Sequence, residues 1–475
     1  MKHAIKLTAA AFAFAAALMA PSALAQKAQP GEADFRALYK ELIEINTTAS
    51  VGSCTAAAEA MKARLVAAGY PASDLHMIVP PNNPREGNLI AVLPGADTSL
   101  KAILLLAHID VVEANRADWV RDPFKLTEED GTFYARGAED DKAQAAIFTD
   151  QMVRFKRDGY KPKRTIKLAL TCGEEGGFPL NGVSYILEHN RDLIKAAFAL
   201  NEGAAGQIDS RTGKYVYNGV QAGEKIYQDF ELEVTNPGGH SSRPVADNAI
   251  YRLADALRKV EGYKFPVEHN TATLGYFARM ADLNADKAQA ADMRAFAKNP
   301  VESDVAERLS KDTTLNATLR TTCVATQLSG GHAPNALPQR ATANINCRIF
   351  PGHGAAEIQK QLETAVGDPA VKFTMKGLSG PPFPPPPLTP DILGPIEKVS
   401  QQLFPGIPVI PQMATGATDG SFLNAAGIPT YGVSGIFEDD ERTNAHGLNE
   451  SVPVKSLLEG REFLYRLTRL YAGGK

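Results

Sequence analysis

The stretch Ala102–Val112 reads AILLLAHIDVV, and it decides the fold class. It contains a run of large apolar residues and then His108 and Asp110. A short run that is apolar at every position is typical of a strand buried on both faces, as in a parallel sheet. Residues i and i+2 of a strand share a face, so His108 and Asp110 are expected to lie side by side. The pair predicts either a metal-bound histidine with its orienting carboxylate or a plain histidine–aspartate hydrogen bond.

Two further apolar strands, Thr165–Thr171 and Ala196–Leu200, are also followed by acidic residues. Glu174 and Glu175 come after the first strand, and Glu202 comes after the second. Helical segments alternate with these strands, which predicts an α/β fold with a mostly parallel sheet. Ligands of such sheets bind at the carboxyl ends of the strands. Because adjacent carboxylates repel each other unless a cation holds them, the Glu174–Glu175 pair favours a cation site there.

The pattern of apolar residues in the predicted strands changes near residue 221. Phe230, Leu232 and Val234 alternate with acidic residues, which is typical of a strand with one solvated face. The order strand–helix–strand–strand–helix–strand that follows predicts a ferredoxin-like α/β sandwich. A polar, alanine-rich segment between Tyr263 and Thr314 interrupts it and reads as a helical insertion of unassigned function. We therefore predict a catalytic domain in two segments, 26–220 and 381–475, with an inserted domain at 221–380.

Residues 1–25 are predicted to be a secretory signal peptide. They begin with Lys2 and Lys6, continue with the apolar run Leu7–Ala20 and end with Ala23-Leu24-Ala25. A basic start, a short apolar run and an A-x-A sequence form the pattern of such signals. The run is shorter than the roughly 18–20 residues of a membrane span, and no later stretch reaches that length. We therefore expect a secreted protein without a membrane span. In a bacterium it would be exported to the periplasm.

The overall composition excludes some partners. A formal net charge of −4 gives no basis for binding nucleic acid or an anionic membrane. The cysteines are too few for a disulfide scaffold and too far apart for a cysteine-type zinc site. These cysteines are Cys54, Cys172, Cys323 and Cys347. We expect buried thiols, although export permits disulfides whose pairing the sequence does not determine.

A histidine is a candidate ligand where it lies near a strand end, in a loop rich in glycine, small polar or acidic residues. His108, His240 and His446 meet this condition, whereas His332 and His353 lie in turns and stay undecided. The chain also offers several acids in such loops, and the candidate metal ligands are His108, Asp140, Glu175, Glu202 and His446. Two imidazoles and three carboxylates suit zinc or a similar divalent ion.

A carboxylate shared between two ions can hold them about 3.5–4 Å apart, where they lower the pKa of a bridging water. Glu174 is adjacent to Glu175 and is not needed as a ligand. Its carboxylate could take the proton from that water, so we predict Glu174 to be the general base.

Several motifs occur together along the chain. They are AHIDVV (107–112), RGAEDDK (136–142), TCGEEGG (171–177), NEG (201–203), NPGGHSSRP (236–244), PNALPQRATANINCRIFPG (334–352), GATDGSF (416–422) and HGLNE (446–450). With these motifs the sequence resembles the M20 family of metallopeptidases, within it the carboxypeptidase S and N-acyl-amino-acid hydrolase group. The resemblance implies a mostly parallel-sheet zinc-hydrolase domain with an inserted ferredoxin-like domain that serves as a lid and in dimerisation.

The resemblance also implies a pair of divalent metal ions, Zn²⁺ in the first place and Co²⁺ or Mn²⁺ as alternatives. The implied ligands are His108, Asp140 and Glu202 for one ion and Asp140, Glu175 and His446 for the other. In RGAEDDK the first aspartate, Asp140, matches the bridging position. Asp110 would orient His108, and Glu174 would be the general base.

The resemblance implies roles for further residues in substrate binding. His240 would stabilise the oxyanion, in dimeric relatives within the active site of the partner chain. Asn335 and Arg348 would hold the carbonyl and the carboxylate of the substrate, since a guanidinium matches a carboxylate. Gly416 and Asp419 belong to a turn that would line the pocket. One departure is Cys172 before Gly173-Glu174, where relatives commonly have small or hydroxyl residues.

These observations predict an exported, metal-dependent hydrolase that cleaves the amide bonds of small peptides, as a dipeptidase or carboxypeptidase. The alternative is an N-acyl-amino-acid amidohydrolase that uses the same residues on an acyl chain. A third interpretation is a periplasmic binding protein without catalysis, against which the complete ligand set and Glu174 argue. A homodimer formed through the inserted domain is also expected.

Overall fold

The computed structural model describes residues 29–377, 380–439 and 442–474. The predicted signal peptide, residues 1–25, lies outside the described residues. Within the described ranges, no helix combines the length and the apolar character that a membrane span requires.

The secondary structure alternates between strands and helices over much of the chain. The strands are β1 (Leu75–Ile78), β2 (Asn88–Leu93), β3 (Ile103–His108), β4 (Thr127–Glu129), β5 (Thr132–Tyr134), β6 (Ile166–Thr171), β7 (Phe198–Asn201), β8 (Gly206–Ile208), β9 (Tyr215–Glu224), β10 (Ile226–Thr235), β11 (Gly239–His240), β12 (Thr322–Gly330), β13 (Ala336–Leu337), β14 (Arg340–Ile349), β15 (Lys372–Lys376), β16 (Val409–Ala414), β17 (Thr430–Gly432), β18 (Phe437–Glu438) and β19 (Ser451–Pro453). The helices are α1 (Glu32–Glu44), α2 (Cys54–Ala67), α3 (Lys142–Arg157), α4 (Gly182–His189), α5 (Arg191–Ile194), α6 (Ala249–Gly262), α7 (Thr271–Leu283), α8 (Lys287–Lys298), α9 (Ser303–Leu309), α10 (Thr313–Leu319), α11 (Ala355–Val366), α12 (Pro390–Leu403), α13 (Gly420–Ala425) and α14 (Val454–Ala472).

The large sheet has the strand order β1-β2-β6-β3-β7-β17-β9-β8-β18, with β16 paired to β9. Its centre, β6, β3, β7 and β17, is parallel. The strand predicted from AILLLAH is β3, which is buried at every position. Ile103 and Leu105 pack in the core that also contains α1, α2, α3 and α14, whereas Leu104 and Leu106 pack with α4, α5 and α13. The α/β class with a mostly parallel sheet is thereby confirmed.

The smaller sheet is antiparallel throughout and has the order β12-β14-β10-β15. In chain order this is 2-3-1-4, the arrangement of a ferredoxin-like sandwich. Helices α6 and α11 cover one face of this sheet. Alternate residues of β10 and β14 are therefore buried against the two helices. The predicted boundary at residue 220 falls inside β9, which continues in the large sheet to Glu224 before β10 begins at Ile226.

The segment between α6 and β12 folds into α7–α10 with an apolar core of its own around Phe277 and Phe296. Helix α7 packs on β16 of the large sheet. Nη1 of Arg279 donates to the backbone oxygen of Val409 at 2.7 Å and lies 2.8 Å from Oε1 of Glu397. The insertion therefore joins the smaller domain to the catalytic domain.

The expectation of buried thiols is wrong. Cys54 is bonded to Cys172, and Cys323 is bonded to Cys347. The first bond connects the start of α2 to the end of β6, and the second connects the paired strands β12 and β14. The sequence could not give this pairing, because the members of the first pair are 118 positions apart.

Candidate metal centre

The predicted ligands meet at one edge of the large sheet. His108 is the last residue of β3, Glu175 lies beyond β6, and Glu202 directly follows β7. These parallel strands end at the same edge, which brings the side chains together. Asp140 comes from the loop before α3, and His446 from the loop between β18 and β19.

Asp140 lies between two groups of side chains. Nε2 of His108 is 3.0 Å from Oδ1 of Asp140 and 3.7 Å from Oε1 of Glu202. Nε2 of His446 is 2.9 Å from Oδ2 of Asp140 and 2.9 Å from Oε2 of Glu175. The ligand atoms of each group, His108–Asp140–Glu202 and Asp140–Glu175–His446, lie within 4.8 Å of one another. Each Asp140 oxygen therefore faces a different group.

The site attracts positive charge. Burial disfavours the charged imidazole of His108, but Glu202 and Asp140 outweigh this effect and raise its pKa well above the usual value. Hydrogen bonds to Asp140 and Glu175 raise the pKa of His446 to about 10. Burial raises the pKa of Asp140, but the bonds from both imidazoles outweigh it, and the net pKa is lowered.

The donor set fits a pair of divalent cations. Two imidazoles and three carboxylates converge, which is the chemistry of zinc and similar ions. Within the described chain, Oε1 of Glu202 is buried and accepts no hydrogen bond, so it is available to a cation. A buried carboxylate oxygen without a partner is costly unless a cation or a proton satisfies it.

Asp110 lies beside His108, as expected, although β3 ends at His108 and Asp110 follows just beyond the strand. Nδ1 of His108 lies 3.1 Å from the backbone oxygen of Asp110 and 3.7 Å from its Oδ1. A carbonyl oxygen only accepts, so Nδ1 carries the proton and Nε2 is free to bind a cation. The other carboxylate oxygen, Oδ2 of Asp110, accepts from the backbone N–H of Glu175 at 3.0 Å.

A cavity of about 620 Å³ opens beside this group. Its lining includes Glu174, Glu175 and His446 of the catalytic domain and Arg348 of the smaller domain. The guanidinium of Arg348 lies 4.7 Å above the ring of Tyr227, which also lines the cavity. Burial and the nearby Glu202 raise the pKa of Glu174 well above its ordinary value.

Gly416 and Asp419 also line the cavity. Asp419 is buried, and its oxygens accept from Oγ1 of Thr171 at 2.9 Å and from Nδ2 of Asn181 at 2.6 Å. Both donors flank the Glu174–Glu175 segment in sequence. Asp419 thus holds together the two ends of that segment rather than presenting a free carboxylate to a substrate.

The structure adds a buried pair, Arg136 and Glu450, to which the sequence analysis assigned no role. Oε2 of Glu450 accepts from Nη1 of Arg136 at 2.6 Å, and Oε1 accepts from the backbone N–H groups of Glu139 and Asp140. Nη2 of Arg136 donates to the backbone oxygen of His446 at 3.2 Å. The pair fixes the loops of both Asp140 and His446. In the sequence, Arg136 is one residue of the motif RGAEDDK and Glu450 is one residue of the motif HGLNE. No pattern in either motif indicates that these two side chains pair.

We expect Glu450→Gln to lower the free energy of unfolding by about 3–5 kcal/mol, since it leaves the buried Arg136 without its counter-charge. Urea unfolding of the metal-free protein measures the change. The matched control is Glu261→Gln, which removes the exposed partner of Arg258 and should cost less than about 1 kcal/mol. Equal losses in the two variants would contradict the assignment of a buried, structural pair.

The single chain does not bring His240 and Asn335 into the cavity. His240 lies in β11, paired with β13, and is exposed. Asn335 directly precedes β13, and its backbone oxygen accepts from the N–H of Ser241 at 3.1 Å. The two predicted residues therefore share one exposed ribbon of the smaller domain, apart from the residues that line the cavity.

A family model described as peptidase family M20/M25/M40 matches residues 104–470. The chain belongs to this peptidase family. The match contains each proposed metal ligand and Glu174. The M20 family resemblance predicted from the motifs is confirmed.

Curated relatives within the family include amidohydrolases and peptidases. The chain is 28% identical over 394 residues to a zebrafish (Danio rerio) N-fatty-acyl-amino acid synthase/hydrolase, covering 78% of this chain and 73% of the relative. It is 29% identical over 383 residues to a probable carboxypeptidase S-like protein of Dictyostelium discoideum, covering 79% and 72%. The chain is therefore a hydrolytic enzyme of the metallopeptidase and amidohydrolase class.

Solved structures share the M20 fold. A metallo-carboxypeptidase of the M20 family from Sulfolobus solfataricus matches with a TM-score of 0.71 and 18% identity, over 92% of this chain and 99% of the other. A Bacillus subtilis protein described as a dinuclear metal-binding peptidase of the family matches with a TM-score of 0.58 and 12% identity, over 93% and 98%. At these identities the likeness supports the fold, while the ligand set rests on this chain's own geometry.

Proposed function

We propose that this enzyme is an exported, two-metal hydrolase that cleaves the amide bond before the C-terminal residue of small peptides. The observation that carries the proposal is the position of Asp140. Each of its carboxylate oxygens lies about 3 Å from the imidazole of a different ligand group. A bridging carboxylate between two three-residue groups is the arrangement expected for a pair of cations.

His108, Asp140 and Glu202 would hold one cation, and Asp140, Glu175 and His446 the other. Nitrogen and carboxylate donors favour Zn²⁺, with Co²⁺ and Mn²⁺ as alternatives. When bound, such cations supply Lewis-acid polarisation of a carbonyl and lower the pKa of water.

Glu174 is the residue we assign as the general base. It lines the cavity together with Glu175 and His446. A carboxylate at this position can take up a proton from water and then deliver it to the departing amine.

Arg348 is the residue we assign to the substrate carboxylate. It lines the same cavity as Glu174 and lies on the polar side of β14. Stacking on Tyr227 supports its side chain and leaves the fork of N–H donors available for two parallel hydrogen bonds. A cavity of about 620 Å³ suits a ligand of dipeptide size better than a long folded chain.

A deacylase is the second candidate, because the same residues could hydrolyse an N-acyl amino acid. Val112, Ile226 and Phe422 give the cavity an apolar wall that would suit an acyl chain. The zebrafish relative named above is an N-fatty-acyl-amino acid synthase/hydrolase. A binding protein without catalysis is disfavoured, since Glu174 would have no purpose beside a complete ligand set.

The decisive experiment is a hydrolysis panel with the purified, metal-loaded enzyme. It compares dipeptides with N-acyl amino acids of matched C-terminal residue, each with a free and an amidated carboxyl group. Faster cleavage of the free dipeptides supports the peptidase, and faster cleavage of the acyl substrates supports the deacylase. Equal rates on free and amidated substrates would contradict the role of Arg348. Binding without turnover across the panel would favour the binding protein.

We propose that the enzyme is a homodimer in which His240 and Asn335 act in the partner's active site, because both are exposed outside the cavity of their own chain. Mixing His240→Ala chains with Glu174→Gln chains tests this idea. A mixed dimer has one site with an intact Glu174 and a partner that supplies His240. Random exchange of equal amounts should restore about one quarter of wild-type activity, since half of the dimers are mixed and each has one complete site.

The control for this experiment is the same pair of variants mixed without subunit exchange, which should stay inactive. Light scattering gives the oligomeric state. A monomer, or mixed chains that stay inactive after exchange, would contradict a role of His240 in the partner's site.

Export to the periplasm is also proposed. The N-terminal sequence supports it, as do the Cys54–Cys172 and Cys323–Cys347 disulfides, because such bonds persist in oxidising compartments. Cell fractionation followed by N-terminal sequencing of the mature chain would locate the protein and the cleavage site.

A further inference from the structure

The segment that carries Glu174 and Glu175 is attached to the rest of the protein by a covalent bond. Cys172 lies directly after β6 and two residues before Glu174. Its sulfur is bonded to Cys54, the first residue of α2, and both cysteines are about 1% exposed. The bond therefore lies inside the catalytic domain, next to the proposed general base.

Hydrogen bonds hold the same segment at its ends. The backbone N–H of Cys172 donates to Oδ1 of Asn88 at 3.0 Å, and the N–H of Gly182 donates to the carbonyl of Cys172 at 2.7 Å. The N–H of Glu175 donates to Asp110 at 3.0 Å. Asp110 in turn lies against the disulfide, since its carboxylate oxygen and the two sulfurs are within 4.8 Å of one another.

Two glycines, which restrict the backbone less than other residues do, flank the glutamates of this segment. Gly173 has a φ of +90° and Gly176 a φ of +60°, on either side of the two glutamates. Glycine gains more backbone freedom than any other residue when its restraints are removed. Two carboxylates on such a loop need an anchor close by if they are to keep a fixed position.

We propose that the Cys54–Cys172 disulfide is a positioning element that fixes Glu174 and Glu175 for catalysis. The proposal rests on the function proposed above, in which Glu174 is the base and Glu175 a ligand. The bond holds the start of the loop to α2, so the glutamates keep their places while the glycines permit the turn. Its loss slows the chemical step, because a displacement of about 1 Å in a catalytic group can cost about 100-fold in rate.

The test compares two double variants. Cys54→Ala/Cys172→Ala removes the bond beside the site, and Cys323→Ala/Cys347→Ala removes the bond between β12 and β14 of the smaller sheet. Both are expected to lower the thermal midpoint, since each removes a cross-link. We expect kcat to fall about 10- to 100-fold in the first variant alone, with KM within about twofold of wild type.

A spectroscopic measurement separates this inference from the proposed function. The visible absorption of the cobalt-loaded protein depends on ligand geometry at Glu175 and needs no turnover. It should change in Cys54→Ala/Cys172→Ala and stay as in wild type in Cys323→Ala/Cys347→Ala. If the wild type cleaves no substrate, the proposed function fails, and the cobalt spectrum still tests the position of the loop.

A third sample covers the case in which Cys54→Ala/Cys172→Ala does not fold. In Cys323→Ala/Cys347→Ala the Cys54–Cys172 bond is the one that remains, so a phosphine reductant acts on that bond alone, and thiol titration selects samples of the folded, cobalt-loaded protein in which the buried bond is open. The same spectral change and the same fall in kcat are expected. An unchanged spectrum together with an unchanged kcat after reduction, or equal losses of kcat in the two double variants, would overturn the proposal.

Discussion

Replacing Glu174 with glutamine should lower kcat by about 10²–10⁴-fold and leave the metal content unchanged, because the amide cannot accept the proton that the carboxylate takes up. Glu174 lines the cavity and belongs to neither of the two sets of proposed metal ligands. KM should change little, since glutamine has the same shape and the substrate contacts lie elsewhere. Steady-state kinetics and elemental analysis of the purified variant provide the two measurements.

The matched control for Glu174 is Glu188→Gln in α4. Glu188 is an exposed glutamate of the same domain, with 76% of its side chain accessible. Its replacement should leave kcat and metal content as in wild type. A Glu174→Gln enzyme that retains wild-type kcat would exclude Glu174 as the base. Loss of metal from this variant would instead place Glu174 among the ligands.

Replacing Asp140 with alanine should remove both cations and abolish turnover, because Asp140 is the ligand that the two groups share. The expected loss of metal affinity exceeds the roughly 10- to 100-fold that removal of an outer-shell partner causes. Glu202→Ala should by contrast weaken one site and spare the other, since Glu202 belongs to a single group. Equilibrium dialysis followed by elemental analysis gives the number of ions bound to each variant.

Asp141→Asn is the control for Asp140. Asp141 is the adjacent buried acid, and burial together with Glu202 raises its pKa well above the ordinary value. A neutral amide of the same size should therefore be tolerated with both ions still bound. If Asp141→Asn loses both ions and Asp140→Ala keeps them, the bridge has been assigned to the wrong aspartate of RGAEDDK.

The sequence predicted the ligands that follow strands better than the residues that orient them. His108, Glu175 and Glu202 could be placed because parallel strands share an edge, so their carboxyl ends converge whatever the loops do. Asp140 and His446 lie in irregular loops, and the motifs of a known family were needed to select them. His446 has a φ of +61°, a backbone conformation that no local pattern indicates for histidine.

Other features depend on contacts between distant parts of the chain. No sequence pattern joins Arg136 to Glu450 or Cys54 to Cys172, since each pairing requires a complete fold. The hydrogen bond from Glu175 to Asp110 was missed because β3 was predicted to continue past His108. The position of a strand end decides whether a side chain faces its neighbour or a loop, and sequence patterns place such ends imprecisely.

The buried Arg136–Glu450 pair spans 314 positions of the chain. The loops of Asp140 and His446 can therefore be fixed together only when nearly the entire polypeptide is available for folding. Contacts of such long range form late in folding and slowly. Truncated chains that end before His446 lack one member of the cation-binding set, so we expect them to show no hydrolytic activity.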